Sequence, residues 1–170
     1  RLTKRFYPRT FNLGCRKALF ESLGGFDETM RYGEDIDFSM RLYEAGSRVV
    51  LLPEAVLYHK RRVDLHKFYR QVWHSGRARV ELSRKHPGSM RLTYLLPSLF
   101  VVTTLVVTLL ALWCPWFWLY HLLFIVSLFA DALYRTQSVA VAWRAVVASF
   151  VQLSGYGIGY LSQRVKRCKA

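Results

Sequence analysis

The chain has 170 residues, 52% of them hydrophobic, yet it carries 25 Lys and Arg against 11 Asp and Glu, a formal net charge of +14. A mean hydropathy of +0.12 with 15% aromatic residues excludes a disordered basic tail. Residues 1–94 hold 19 basic and 10 acidic side chains, residues 95–170 hold 6 and 1, and the 39 residues between Arg91 and Asp131 hold none, a run that excludes a wholly soluble chain of this size.

Residues 1–94 read as a mixed α/β segment. Arg1 to Thr10 lacks the apolar core of a secretory signal peptide, and the first residue is Arg, so the sequence reads as the C-terminal part of something longer. Arg16–Leu23 carries Leu19, Phe20 and Leu23 on one helical face and stops at Gly24-Gly25. Phe38, Leu42 and Ala45 recur at helical spacing before Gly46. Arg48–Leu52 and Ala55–Tyr58 are short aliphatic runs around Pro53-Glu54 and predict two extended segments. Asp64 predicts the N-cap of a helix with Leu65, Phe68, Tyr69 and Val72 on one face, closed by Pro87-Gly88.

Beyond it, Leu95–Trp113 and Trp116–Tyr134 are two apolar stretches of bilayer length, separated by Cys114-Pro115. Trp113, Trp116 and Trp118 gather at the turn, while Arg91 and Arg135 bracket the other side, which places both ends in the cytoplasm by the positive-inside rule. A third stretch, Val139–Gln163, contains Arg144 and three glycines. If it spans, the basic tail from Arg164 lies outside, against that bias; the rival is an interfacial helix on anionic lipid. Cys15, Cys114 and Cys168 are too far apart in sequence to make a disulfide framework or a zinc cluster.

The densest polar constellation is Gly33-Glu34-Asp35-Ile36-Asp37, where a loop enters a helix. Three carboxylates in four residues repel one another, but unpaired N–H groups at a helix start stabilise them. They are either caps alone or, with a glycine loop before them, hold a general base for an incoming hydroxyl. His59 ends the second extended segment beside Lys60-Arg61-Arg62, a basic run suited to solvent, lipid headgroups or phosphate oxygens.

The ordered elements Asn12-Leu13-Gly14-Cys15-Arg16-Lys17, Gly24-Gly25-Phe26-Asp27-Glu28, Gly33-Glu34-Asp35-Ile36-Asp37-Phe38, Ala45-Gly46, Pro53-Glu54-Ala55 and Tyr58-His59 resemble the C-terminal half of a family 2 glycosyltransferase domain over about residues 8–86. The membrane tail, with Tyr156-Gly157-Ile158-Gly159-Tyr160, is similar to bacterial exopolysaccharide enzymes of the succinoglycan type. The resemblance implies a GT-A, Rossmann-like α/β fold in residues 1–90, followed by an α-helical membrane region in 91–170. It further implies an inverting transfer of sugar from a nucleotide-diphosphate sugar to a lipid-linked or glycan acceptor at the inner (plasma) membrane, with membrane lipid as a partner and no nucleic acid. Glu34-Asp35 matches the family's acid pair, with Asp35 as base. His59 matches a position that meets the metal, Mg²⁺ or Mn²⁺, or the diphosphate, while Asn12, Arg16, Asp37, Arg61 and Arg62 are expected against substrate.

Most of the metal ligands belong to an Asp-x-Asp half that is not in this sequence, so the chain alone is expected to be inactive. Gln71-Val72-Trp73-His74-Ser75 lacks the Gln-x-x-Arg-Trp order of processive members, which favours single-sugar addition. A non-catalytic anchoring or scaffold domain that binds anionic lipid is the competing reading.

Overall fold

A computed structural model describes residues 6–58 and 64–168. Six α-helices follow in order: α1 Lys17–Ser22, α2 Glu34–Glu44, α3 Leu65–Lys85, α4 Leu96–Ala111, α5 Trp118–Thr136 and α6 Val139–Cys168. Short 3-10 turns stand at Thr10–Asn12, Leu92–Tyr94 and Pro115–Phe117. The described residues contain no β-strand, so the expected α/β class is not realised within them. The predicted extended segments at 48–52 and 55–58 form no regular element, since a strand exists only where its N–H and C=O groups pair with a neighbour. No neighbour of that kind is present among the described residues, and Val50, Leu52, Val56, Leu57 and Tyr58 stand exposed.

The chain divides into two compact units, one holding residues 1–61 with 78–89, the other holding residues 62–77 with 90–170. In the first, α1 stops where the chain turns left-handed at Gly24 and Gly25 (φ 76° and 67°), and the N–H of Gly25 returns to the carbonyl of Phe20 at 2.9 Å. α2 ends in a Schellman turn: Ser47 N–H reaches Leu42 O at 2.9 Å, and Gly46 N–H reaches Tyr43 O at 3.0 Å. Met30, Ile36, Met40 and Leu82 form the core, with Tyr7 packed on it. Phe20, Phe26 and Phe38 form a ring cluster with centroids 5.1–5.4 Å apart, and Phe38 is fully buried.

In the second unit, Asp64 caps α3 as predicted, accepting the Lys67 N–H at 3.0 Å. Here helices touch through their main chains. A Cβ on Gly76 would strike the carbonyl oxygen of Tyr156, one on Gly159 that of Trp73, and one on Gly157 that of Pro97. Gly155 faces Val72 and Tyr69. Glycine at all four positions removes the side chain that would hold α3 and α4 away from α6.

α6 runs unbroken through Arg144 and its glycines. Two helical segments are long and apolar enough to cross a membrane, Pro115–Thr136 and Val139–Lys166. The predicted first span 95–113 is a helix of only 16 residues, because Pro97 sets its start and the chain leaves the helix at Leu112 ahead of Cys114-Pro115. Leu99, Val102, Leu105, Leu109, Leu122 and Leu123 of α4 and α5 lie exposed.

Candidate active site

α2 begins earlier than its apolar periodicity suggests, so the acid cluster forms its first turn rather than the loop before it. Gly33 makes that start possible. It is left-handed (φ 85°), and a Cβ there would sit 3.2 Å from the Cβ of Ala78 and 3.4 Å from Leu82. Successive helical residues are about 100° apart, so Asp35 and Asp37 leave α2 on nearly opposite sides.

Asp37 is the inward acid, 2% exposed. Its Oδ2 accepts from Arg41 Nε at 2.9 Å and meets Arg41 Nη2 at 2.9 Å, so one oxygen takes both nitrogens of the guanidinium edge. Its Oδ1 faces His86 Nε2 at 2.9 Å and Lys85 Nζ at 3.9 Å. Arg41 continues to the carbonyls of Leu23 and Gly25, tying α2 to the turn after α1. His86, itself buried, reaches Glu44 Oε1 with Nδ1 at 2.7 Å. Lys85 pairs with Asp27, whose carboxylate also accepts from Thr29 N and Oγ1. A cleft of about 650 Å³ opens among these groups, but neither Asp35 nor Glu34 lines it. Because the charges around it answer one another, we read this side of α2 as a structural joint.

Asp35 faces the other way. Its side chain is 12% exposed; Oδ1 accepts the N–H of Ile36 at 2.8 Å and meets Arg9 Nη1 at 3.5 Å, while Oδ2 has no partner among the described residues. The segment bearing Arg9 is fixed along α2: Ser39 Oγ donates to Asp35 O at 2.7 Å and reaches Pro8 O at 3.4 Å, and the Tyr43 hydroxyl donates to Phe6 O at 2.7 Å. Glu34 is half-buried beside it, with no ion pair among the described residues. The result is a carboxylate held by one oxygen at a helix N-terminus, with the other oxygen free to accept a proton.

Of the other expected residues, Asn12 lies one link from Asp35, since its Oδ1 accepts the Arg9 N–H at 2.9 Å. Arg16 is exposed at the start of α1 with no side-chain partner among the described residues. Asp37, expected against substrate, has both oxygens engaged by its own neighbours. His59, Arg61 and Arg62 fall outside the described residues. No three His, Cys, Asp or Glu side chains among the described residues stand close enough to hold a metal ion, so these residues alone do not fit a metal centre. Arg9 and His86 were not singled out by sequence. Arg9 sits in an unremarkable Pro-Arg-Thr, whereas His86 had one signal, its place directly before the Pro87-Gly88 stop.

A pre-mycofactocin glycosyltransferase of Mycobacterium tuberculosis is 38% identical over 73 residues, covering 43% of this chain and 16% of that protein. The succinoglycan biosynthesis protein ExoA of Rhizobium meliloti is 30% identical over 82 residues, covering 48% of this chain and 25% of that protein. The matched stretch is thus a quarter or less of these relatives, and no solved structure matches. The model of the family described as glycosyl transferase family group 2 matches residues 6–151, which takes in the acid-bearing α2 together with α4 and α5, and on that match the chain belongs to this family.

Proposed function

We propose that this chain supplies the acceptor side and the general base of a membrane-attached inverting glycosyltransferase. The donor is a nucleotide-diphosphate sugar, and the acceptor is a lipid-linked or glycan hydroxyl in exopolysaccharide or cell-envelope synthesis. The observation that carries this reading is Asp35, fixed through Oδ1 at the first turn of α2 with Oδ2 open. In the reaction Oδ2 accepts the acceptor's hydroxyl proton as that oxygen attacks the anomeric carbon opposite the diphosphate. Arg9 and the Ile36 N–H hold the carboxylate in its proton-accepting orientation, and Glu34 lies beside the path of the proton. Asn12 steadies Arg9, Arg16 faces the acceptor, and Asp37 acts by fixing α2 and so stands behind the site. His59, Arg61 and Arg62 are assigned to the diphosphate, where a divalent ion, held mainly by residues outside this sequence, would supply charge neutralisation when bound.

The two membrane-length helices attach the enzyme to the plasma membrane, with the catalytic part in the cytoplasm on the side of Arg91. In the full-length protein, Asp35→Asn is expected to lower sugar transfer by roughly 10²–10⁴-fold while donor binding persists. Transfer at the parental rate would overturn the assignment of the base.

A further inference from the structure

The apolar helices return to the side from which they start. Gly157 of α6 packs on the main chain of Pro97, in the first turn of α4. Phe100, Phe124 and Phe150 form one cluster, with centroids 5.1, 5.4 and 5.9 Å apart. Phe100 is about 6 Å along the axis from the start of α4, Phe124 about 9 Å from the start of α5, and Phe150 about 10 Å short of Gly157. From Phe124 to Phe129, α5 advances while its partners on α6 recede from Phe150 to Trp143, the latter pair 4.9 Å apart. α5 is therefore antiparallel to α6, and its first turn lies on the Gly157 side, where α4 also begins. Late α4 lies on that side too, since Thr108 Oγ1 stands 3.0 Å from His121 Nε2 in the first turn of α5.

On this ground, and resting on the membrane reading above, we propose that α5 and α6 cross the bilayer as a hairpin. α4 and the Trp113–Trp118 turn lie half-inserted in the phospholipid interface on the side shared by Arg91 and the basic end of α6. The occupant of the exposed α4 face is lipid. Trp113 and Trp116 are 91% and 81% exposed at the level where indole rings meet headgroups. Arg91, Arg164 and Lys166 stand on the same side, complementary to anionic headgroups. On the far side Arg135 is paired with Asp131 at 2.9 Å. An even number of crossings also removes the conflict between the basic tail and the positive-inside bias.

The test labels single cysteines with a membrane-impermeant maleimide in sealed vesicles of one orientation. The full chain carries Met90→Cys, native Cys114, Ser138→Cys or Val165→Cys as its one thiol, the remaining native cysteines being replaced by serine. Positions 90, 114 and 165 are expected to react from one face and to be protected from the other, and position 138 to show the reverse. Reaction of 114 from the face opposite 90 overturns the proposal. So does reaction of 138 from the same face as 90 in protein that resists carbonate extraction. If all four react from one face and carbonate releases the protein, the membrane reading itself fails.

Discussion

Residues 6–58 with 78–89 are joined by side chains, whereas in residues 64–77 with 90–168 α3 and α4 meet α6 where side chains are missing. The first region ties its helices together through Asp37, Arg41 and His86 around an aromatic cluster. The second brings α3 and α4 onto α6 at Gly76, Gly157 and Gly159 until main chain meets main chain. The difference follows from what each region must exclude. A cluster of acids at a helix start needs cations to hold its buried members. Glycine on an apolar helix lets backbones approach closely, and that approach fixes which faces meet.

Breaking the charge joint is expected to have the largest effect. Asp37→Ala leaves the Arg41 guanidinium and His86 without their buried partner and should cost about 3–5 kcal/mol, read from denaturant unfolding of the full-length protein. Asp37→Asn keeps the volume and part of the hydrogen bonding, and should fall between. Next come the glycine contacts. Gly159→Ala or Gly76→Ala drives a methyl into backbone that cannot rotate aside and should cost roughly 1–3 kcal/mol in detergent thermal melts. Gly14→Ala, with nothing within 4 Å, should be close to silent. Gly33→Ala sharpens the comparison because its left-handed φ adds to the crowding at Ala78. About 1–2 kcal/mol is expected, with sugar transfer falling further than stability because the start of α2 shifts.

The smallest effect is at Asp64. The Lys67 N–H it accepts holds its carboxyl below the ordinary aspartate range. A carboxyl lowered on folding contributes above its unfolded value and loses that contribution as pH falls through the folded one. The first turn of α3 should therefore loosen below about pH 4, detected by amide exchange at Lys67 and absent in Asp64→Asn.

Much of this was legible in the residues. Gly24-Gly25, Gly46 and Pro87-Gly88 mark helix ends because their signals are local, and the Asp64 cap is legible for the same reason. What the local pattern could not separate was Asp35 from Asp37, which only the family resemblance told apart. Their division of labour depends on where α2 begins, and the periodicity of Phe38, Leu42 and Ala45 leaves that start open by a turn. His86 was out of reach because its partners, Asp37 and Glu44, lie 49 and 42 residues away in the chain. The aliphatic runs at 48–52 and 55–58 show the converse: their composition is a local signal, but a sheet needs a second strand. The apolar helices were legible as apolar runs, while the relation of Pro97 to Gly157 was not, since it depends on how the intervening helices pack.

The rotational phase of α2 has one more consequence. Phe38, fully buried, and Ile36 fix how far the helix is turned about its axis, and that angle decides which acid meets Arg9 and which meets Arg41 and His86. Deleting or inserting a single residue between Gly33 and Phe38 would turn the cluster by about 100° against the core. The composition would survive, but each carboxylate would be aimed elsewhere. In this stretch it is the spacing to an unreactive phenylalanine, as much as the presence of an acid, that assigns each carboxylate its partners.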